Sequence, residues 1–263
     1  MTRAPARTRR QALAEMLGLM GMLTGGALLA GQGGPTLAAR PGAGPASAPE
    51  SRPPLPRPPI RAEGVSALDR NLLTAAAAGD VELCNRLLAA GASAQATDER
   101  GRSALLVAVR NKRADVARAL ILAGADVNRK DIESNSPFLL AAANGQADVV
   151  KLMLEHGADL SGTDRYDGTA LIAAAEHGNV DVVKLLLKAG APVDHVNQLG
   201  WTALLEAVVL GDGSARYEDI VQLLLDAGAD ANLPDREGVT PTRHARERGY
   251  KTMVKMLMRE RGH

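Results

Sequence analysis

A unit of 33 residues recurs along the C-terminal three quarters of the chain, and it limits the possible folds more than any other feature. Its most regular copy runs from Asp164 to Val196. The glycine near the end of each copy recurs at spacings of 33, 33, 33 and 38 residues, at Gly91, Gly124, Gly157, Gly190 and Gly228. The residue that opens each first helix gives the same spacings, at Ser103, Ser136, Thr169, Thr202 and Thr240. Such a period predicts a stack of units, because no single unit can bury its own apolar face.

Each copy has the pattern of two short helices followed by a turn. Thr169 and its equivalents can accept a hydrogen bond from a helix N–H that otherwise lacks a partner, and Pro137 follows such a position, where no N–H is needed. Small residues such as Ala174 and Ala175 allow close helix packing. Five aromatic residues are few for a chain that is 46% hydrophobic. A core of Ala, Leu and Val therefore favours packed helices over a sandwich or barrel.

The repeat resembles the ankyrin repeat. Its copies include GTALIAAAEHG with VVKLLLKAGAPV, NSPFLLAAANG with VVKLMLEHGADL, and GWTALLEAVVLG with IVQLLLDAGADAN. These segments follow the family's order of a turn, TPLHxAA, a glycine, a VVxLLL helix and GADxN, and the resemblance covers about Ala67 to His263. It implies an all-α ankyrin-repeat solenoid, with a helix-turn-helix and a β-hairpin finger in each 33-residue repeat.

We predict a repeat domain over residues 64–263 that holds about six copies. The first and last are interpreted as caps, because the first lacks the usual hairpin and the last has a polar outer surface. The fifth contains a five-residue insertion. The predicted copies are 67–97, 98–130, 131–163, 164–196, 197–234 and 235–263.

Residues 1–39 have the three-part layout of a secretory signal peptide. Arginines, including Arg9 and Arg10, precede an uncharged run over 16–30, and small residues follow at 36–39. Cleavage is predicted after Ala38 or Ala39. The arginine pair resembles a bacterial twin-arginine motif, although two neighbouring positions depart from it, so the twin-arginine and general export routes both stay open. An uncleaved anchor is the alternative. The predicted destination is the periplasm, with secretion as a second possibility.

Residues 40–63 contain eight prolines and scarcely any large apolar residues. Such a segment cannot bury enough surface to offset the entropy of ordering it, so we predict a disordered or polyproline-like linker. The PRPP stretch could also be a ligand for a proline-recognition domain, although a spacer fits an exported bacterial protein better.

No catalytic, cofactor or metal constellation is evident in the sequence. Cys84 is the single cysteine, which excludes an internal disulfide and a cysteine-based metal or redox pair. The repeat geometry disperses the four histidines His156, His177, His195 and His244. Carboxylates recur at the turn starts Asp98, Asp131, Asp164 and Asp235, where they are predicted to bond their own backbone. We therefore predict that the protein is not an enzyme and needs no cofactor or metal.

Charge and resemblance both point to a protein partner. Residues 64–263 carry 23 basic and 27 acidic groups, with no basic patch that interleaves aromatics, so nucleic acid is not expected as a partner. We expect a monomer that does not insert into a membrane after signal cleavage. The resemblance implies that finger tips and exposed first-helix positions on a concave face bind the partner. The candidate residues are Ile132, Tyr166, Leu199, Trp201, Glu206, Val209, Leu210 and Tyr217.

The fifth copy departs most from the template. It contains the only Trp, Trp201, together with apolar Val209 and Leu210 before its glycine and an insertion within 212–218. A Trp beside exposed aliphatic residues is typical of an interaction hot spot. Alternatively, Trp201 packs on the adjacent finger and the insertion is only a tolerated loop. The predicted function is a non-catalytic protein-interaction module of the envelope, or alternatively a protective or inhibitory protein that acts on one envelope or secreted enzyme.

Overall fold

A computed structural model describes residues 66–259, which form a stack of six helix pairs. The first helices of the pairs are α1 (Ala67–Ala78), α3 (Ala104–Arg110), α5 (Pro137–Ala143), α7 (Ala170–Glu176), α9 (Ala203–Val209) and α11 (Pro241–Glu247). The second helices are α2 (Val81–Ala89), α4 (Ala114–Leu122), α6 (Ala147–Glu155), α8 (Val180–Lys188), α10 (Ala215–Asp226) and α12 (Lys251–Arg259). The predicted signal peptide and linker lie outside the described residues.

The helices form two layers. Each first helix contacts the first helices of the adjacent repeats, and each second helix contacts the adjacent second helices. Ala, Leu and Val dominate the buried core, and Phe138 is its largest fully buried side chain. None of the helices in residues 66–259 combines the length and the apolar character needed to cross a bilayer.

The predicted capping hydrogen bonds at the helix starts are confirmed, and a glycine follows the end of the second helix. The Ser136 hydroxyl accepts a hydrogen bond from the Leu139 N–H at 3.2 Å, and the Thr202 hydroxyl accepts one from the Leu205 N–H at 3.2 Å. Gly190, after α8, has φ of 85°, a left-handed conformation that side chains with a Cβ rarely adopt. The same short pattern therefore starts and stops each helix pair.

The fingers are turns rather than the expected two-stranded hairpins. Within residues 66–259 the only β-pairing consists of two isolated antiparallel bridges, Thr97 with Ser103 and Thr163 with Thr169. The turn-start carboxylate closes the turn itself, as predicted. Asp164 Oδ1 accepts hydrogen bonds from the backbone N–H groups of Tyr166 and Gly168, both at 2.8 Å. The backbone closes the same turn, since the Asp164 N–H donates to the Gly168 carbonyl at 3.0 Å.

The insertion in the fifth repeat lengthens a helix. Helix α10 has 12 residues, whereas α8 in the preceding repeat has 9. The connection before it spans 210–214, compared with 177–179 in the fourth repeat. The inserted segment therefore adds one helical turn as well as a longer loop, and the interpretation as a plain loop is wrong.

Candidate partner-binding surface

Three of the sequence-predicted contact residues lie on adjacent fingers, and we call them the fingertip row: Ile132, Tyr166 and Leu199. Ile132 is 71% exposed and Tyr166 is 38% exposed, whereas Leu199 is half-buried. Neighbouring fingers are tied by backbone hydrogen bonds, from the Gln198 N–H to the Tyr166 carbonyl at 2.8 Å and from the Ile132 N–H to the Arg100 carbonyl at 3.1 Å. The finger of Ile132 is therefore bonded to the finger before it, and the fingers of Tyr166 and Leu199 are bonded to each other.

The other group of candidates does not form an exposed surface. Trp201, Glu206 and Val209 are each 3% exposed, Tyr217 is 6% exposed and Leu210 is half-buried. The expected hot spot of a Trp beside exposed aliphatics is therefore wrong. The backbone of Trp201 closes the turn of its finger. Its backbone N–H donates to Asn197 Oδ1 at 3.0 Å, and its backbone carbonyl accepts a hydrogen bond from the Asn197 backbone N–H. The end of α9 is covered by the sixth repeat, whose Arg248 guanidinium donates to the Val209 carbonyl at 2.9 Å.

Tyr217, in the added turn of α10, has a structural contact. Its hydroxyl donates to the Glu176 carbonyl at the end of α7, at 3.0 Å. In the fourth repeat, Asn179 makes the equivalent contact with the preceding first helix, because its side-chain amide donates to the Ala142 and Ala143 carbonyls, both at 2.9 Å. In the fifth repeat, the longer side chain of Tyr217 therefore takes the place of the shorter asparagine amide as the donor to the preceding first helix.

Such contacts form a ladder along the stack, which we call the carbonyl ladder. The last carbonyls of a helix have no partner within the helix, so another group must satisfy them. In several repeats a side chain from the connection or second helix donates to a carbonyl at the end of the preceding repeat's first helix. The ladder bonds of 3.0 Å or shorter run from Gln146 to Val109, Asn179 to Ala142 and Ala143, Tyr217 to Glu176, and Arg248 to Val209. Tyr250 adds a bond to the carbonyl of Gly211, just beyond α9.

Glu206 has the most unusual environment among the candidates. It lies in α9, where its Oε1 accepts a hydrogen bond from Asn197 Nδ2 at 2.9 Å. Its Oε2 is buried and has no hydrogen-bond partner. Burial, together with the nearby charges of Glu176 and Asp164, raises the pKa of Glu206 to about 8, although the Asn197 bond opposes that rise. Glu206 is therefore mostly protonated at neutral pH.

The polar environment of Glu206 is specific to the fifth repeat. The equivalent residue is apolar in the second to fourth repeats, at Val107, Leu140 and Ala173. In the sixth repeat it is His244, whose Nε2 lies 2.8 Å from Asp235 Oδ2 in its own finger. Repeat six therefore pairs an imidazole with a carboxyl group, whereas the polar partner of Glu206 is the neutral amide of Asn197.

The glycine spacing, the helix pairs and the turns together define one family. The model for "Ankyrin repeats (3 copies)" matches residues 72–164 and 138–235. The chain belongs to the ankyrin repeat family. This confirms the resemblance and the all-α solenoid predicted from the sequence.

Solved ankyrin repeat structures agree with this assignment. An ankyrin repeat domain from Acinetobacter baumannii AYE is 50% identical, with a TM-score of 0.70, over 72% of this chain and 96% of that one. The ankyrin repeat protein EF0377 is 40% identical, with a TM-score of 0.69, over 72% of this chain and 97% of that one.

A sequence relative matches a shorter part of the chain. The ankyrin repeat protein YahD of Escherichia coli (strain K12) is 47% identical over 53 residues, which are 20% of this chain and 26% of YahD.

Ankyrin repeats are generally modules for protein–protein interaction, and the fold is typically non-catalytic. No group of three His, Cys, Asp or Glu residues within 66–259 is arranged to hold a metal ion. The Cys84 thiol is buried, and burial, with a smaller effect from Asp80, raises its pKa, so it is a poor nucleophile. The fingertip row is an exposed feature that a partner could use.

Proposed function

We propose that this ankyrin repeat protein is a non-catalytic binding module of the bacterial cell envelope, and that it binds a protein partner through the fingertip row and the adjoining first-helix face. The observation that carries the proposal is the exposure of Ile132 (71%) and Tyr166 (38%) on adjacent fingers. A pre-formed backbone needs little ordering on binding, which lowers the entropy cost of association. Arg165 adds an amphipathic edge, since its guanidinium carbon lies 5.0 Å from the centre of the Tyr166 ring.

Truncation of Tyr166 tests the proposed binding surface. We expect Tyr166→Ala to weaken binding of a partner captured from an envelope extract by about thirtyfold, as for a hot-spot residue of about 2 kcal/mol. The melting temperature should change little, because the side chain is exposed. Isothermal titration calorimetry with the captured partner measures the change in affinity.

Leu122→Ala is the matched control, because Leu122 is also a large exposed residue, 65% accessible, but lies at the end of α4 rather than on a finger. Equal loss of affinity in both variants, or none in Tyr166→Ala, would contradict the proposed surface. If the captured partner is an enzyme and its activity is blocked at a one-to-one ratio, the protein is a protective or inhibitory one instead of a plain adaptor.

Export follows from the layout of residues 1–39 and is tested separately. A reporter enzyme that is active only outside the cytoplasm, fused after Ala39, is expected to be active in a bacterial host. Replacing Arg9 and Arg10 with Lys in the same fusion should abolish that activity if the twin-arginine route is used. Activity that is lost only when the uncharged run over 16–30 is deleted would instead indicate the general route. An inactive parent fusion would contradict export.

A further inference from the structure

A side-chain amide ties the second repeat to the third, in the loops that lead from the second helices to the fingers. The Asn128 amide donates to the Gly157 carbonyl at 2.8 Å, and its Oδ1 accepts from the Asp159 N–H at 2.9 Å. Gln95 makes the same two bonds from the first repeat to the second, at 2.7 and 3.2 Å. We call this pair of bonds the amide clasp. It needs an amide four residues after one repeat glycine and an N–H two residues after the next.

The third repeat does not form this clasp with the fourth, because Ser161 and Pro192 stand at the two positions that it needs. A serine has no amide, and the Ser161 hydroxyl donates to Asp159 Oδ1 in its own repeat at 2.7 Å. A proline has no backbone N–H to donate. The next boundary keeps one bond of the clasp, from the Asp230 N–H to Asp194 Oδ1 at 3.1 Å. Neither bond is present between the third and fourth repeats, both of which lie within the described residues.

The fingers are also separate at this boundary. Backbone hydrogen bonds join the third finger to the second and the fifth finger to the fourth. Arg100 of the second finger pairs in addition with Glu133 of the third. In the described part of the chain, no hydrogen bond or ion pair links the third finger (131–136) to the fourth (164–169). Two kinds of polar contact that join neighbouring repeats are therefore missing at the same place.

The far end of the same boundary, at the helix turns, is held firmly. Asn179 donates to the Ala142 and Ala143 carbonyls as part of the carbonyl ladder. Helices α5 and α7 contact each other, and buried small residues on both, such as Ala142 and Ala175, allow a close approach. The third and fourth repeats are therefore joined at the helix turns and lack polar contacts at the fingers.

We propose that the boundary between the third and fourth repeats is a hinge, which pivots on α5 and α7 and lets the two halves of the stack open at the fingers. Regions with few hydrogen bonds open at a lower free energy than the rest of a fold. Ile132 lies before the hinge and Tyr166 after it, so opening changes the width of the fingertip row. The hinge itself needs no partner, whereas its use to fit the row to a partner rests on the proposed function.

Distances between spin labels, measured by double electron–electron resonance, test the hinge in the full chain with Cys84→Ala, which removes the native thiol. The labels replace exposed residues two positions before a repeat glycine. The pair Leu122→Cys and Lys188→Cys spans the hinge and one clasped boundary. The pair Ala89→Cys and Glu155→Cys spans two clasped boundaries and is the matched control. We expect the distance distribution of the first pair to be about twice as wide as that of the second.

Two double variants test whether the clasp is the cause. Ser161→Asn with Pro192→Asp supplies both halves of the clasp and should narrow the first distribution to the width of the control. Asn128→Ser with Asp159→Pro gives the boundary between the second and third repeats the residues of the hinge, and it should widen the control distribution. Equal widths for the two label pairs in the parent chain overturn the inference. So does a double variant that folds, by circular dichroism, and leaves its distribution unchanged.

Failure of the hinge can be told apart from failure of the proposed function, because the labels report on the protein without a partner. Equal widths, in a protein whose partner is lost with Tyr166→Ala, overturn the hinge and leave the binding surface intact. A wide distribution across the hinge, in a protein for which Tyr166→Ala does not weaken the captured partner, contradicts the proposed surface and leaves the hinge.

Discussion

The Glu206→Gln variant is expected to be more stable than the wild type at neutral pH, by about 3 kcal/mol at pH 7. Folding raises the pKa of Glu206 from 4.5 to about 8, chiefly through burial and then through the charge of Glu176. The folded state therefore holds a proton that the unfolded chain releases above pH 4.5. Each unit of pH between these two values lowers the free energy of unfolding by about 1.4 kcal/mol.

The sign of the effect follows from this difference. The contribution of Glu206 to stability is fully present below pH 4.5 and is lost as the pH rises through about 8. A glutamine has nearly the same shape, does not titrate, and can still accept the hydrogen bond from Asn197 Nδ2. The gain in stability should accordingly be small near pH 4 and reach its full size above pH 8.

Urea denaturation at pH 4, 7 and 9 measures this dependence. Glu155→Gln is the control, because Glu155 is an exposed residue at the end of α6 and its substitution should alter stability by less than about 0.5 kcal/mol. A stability difference between Glu206→Gln and the wild type that stays the same at all three pH values would contradict the assigned protonation.

The second large effect is expected for Trp201→Ala, which should lower the free energy of unfolding by about 3–5 kcal/mol. The side chain is 3% exposed, so its removal leaves a cavity in place of buried apolar surface. Urea denaturation followed by circular dichroism measures the loss. Weaker capture of a partner by this variant would reflect the damaged fifth repeat, and it would not locate a contact.

Tyr166→Ala serves as the matched variant for this experiment, since it truncates an aromatic residue that is 38% exposed on the preceding finger. Its unfolding midpoint should lie close to that of the wild type. If Trp201→Ala unfolds at the same urea concentration as Tyr166→Ala, the burial assigned to Trp201 is wrong.

Local patterns in the sequence predicted the local structure well. The capping hydroxyl of Thr202, the glycine after α8 and the turn closed by Asp164 all depend on residues within a few positions of one another. Each of these features recurs in several copies of the repeat, so its appearance in one copy supports the same prediction in the others. The hairpin strands were the exception, because the pairing in the described fingers is limited to the isolated bridges of Thr97 with Ser103 and Thr163 with Thr169.

Burial in the fifth repeat could not be predicted from one copy alone. One of the two interpretations placed Trp201 beside exposed aliphatic residues, but adjacent repeats and the finger's own closure cover the side chains of Trp201 and Val209. A signal for Glu206 was present in the sequence. Asn197 replaces the aspartate that starts the other fingers from the second repeat onward, and its amide nitrogen can donate to an acid nine residues later, which a carboxylate cannot do. This replacement indicates a hydrogen bond only when Asn197 and Glu206 are known to be in contact.

The carbonyl ladder gives the stack a direction. In each of its hydrogen bonds, a carbonyl at or just after the end of a first helix accepts from a side chain that lies later in the sequence, as when Arg248 donates to the Val209 carbonyl. During synthesis, and during any export that begins with the N-terminus, those repeats stay unfinished until their successors arrive. Loss of the last repeat should consequently uncap α9, whereas loss of the first should uncap no other first helix by this ladder.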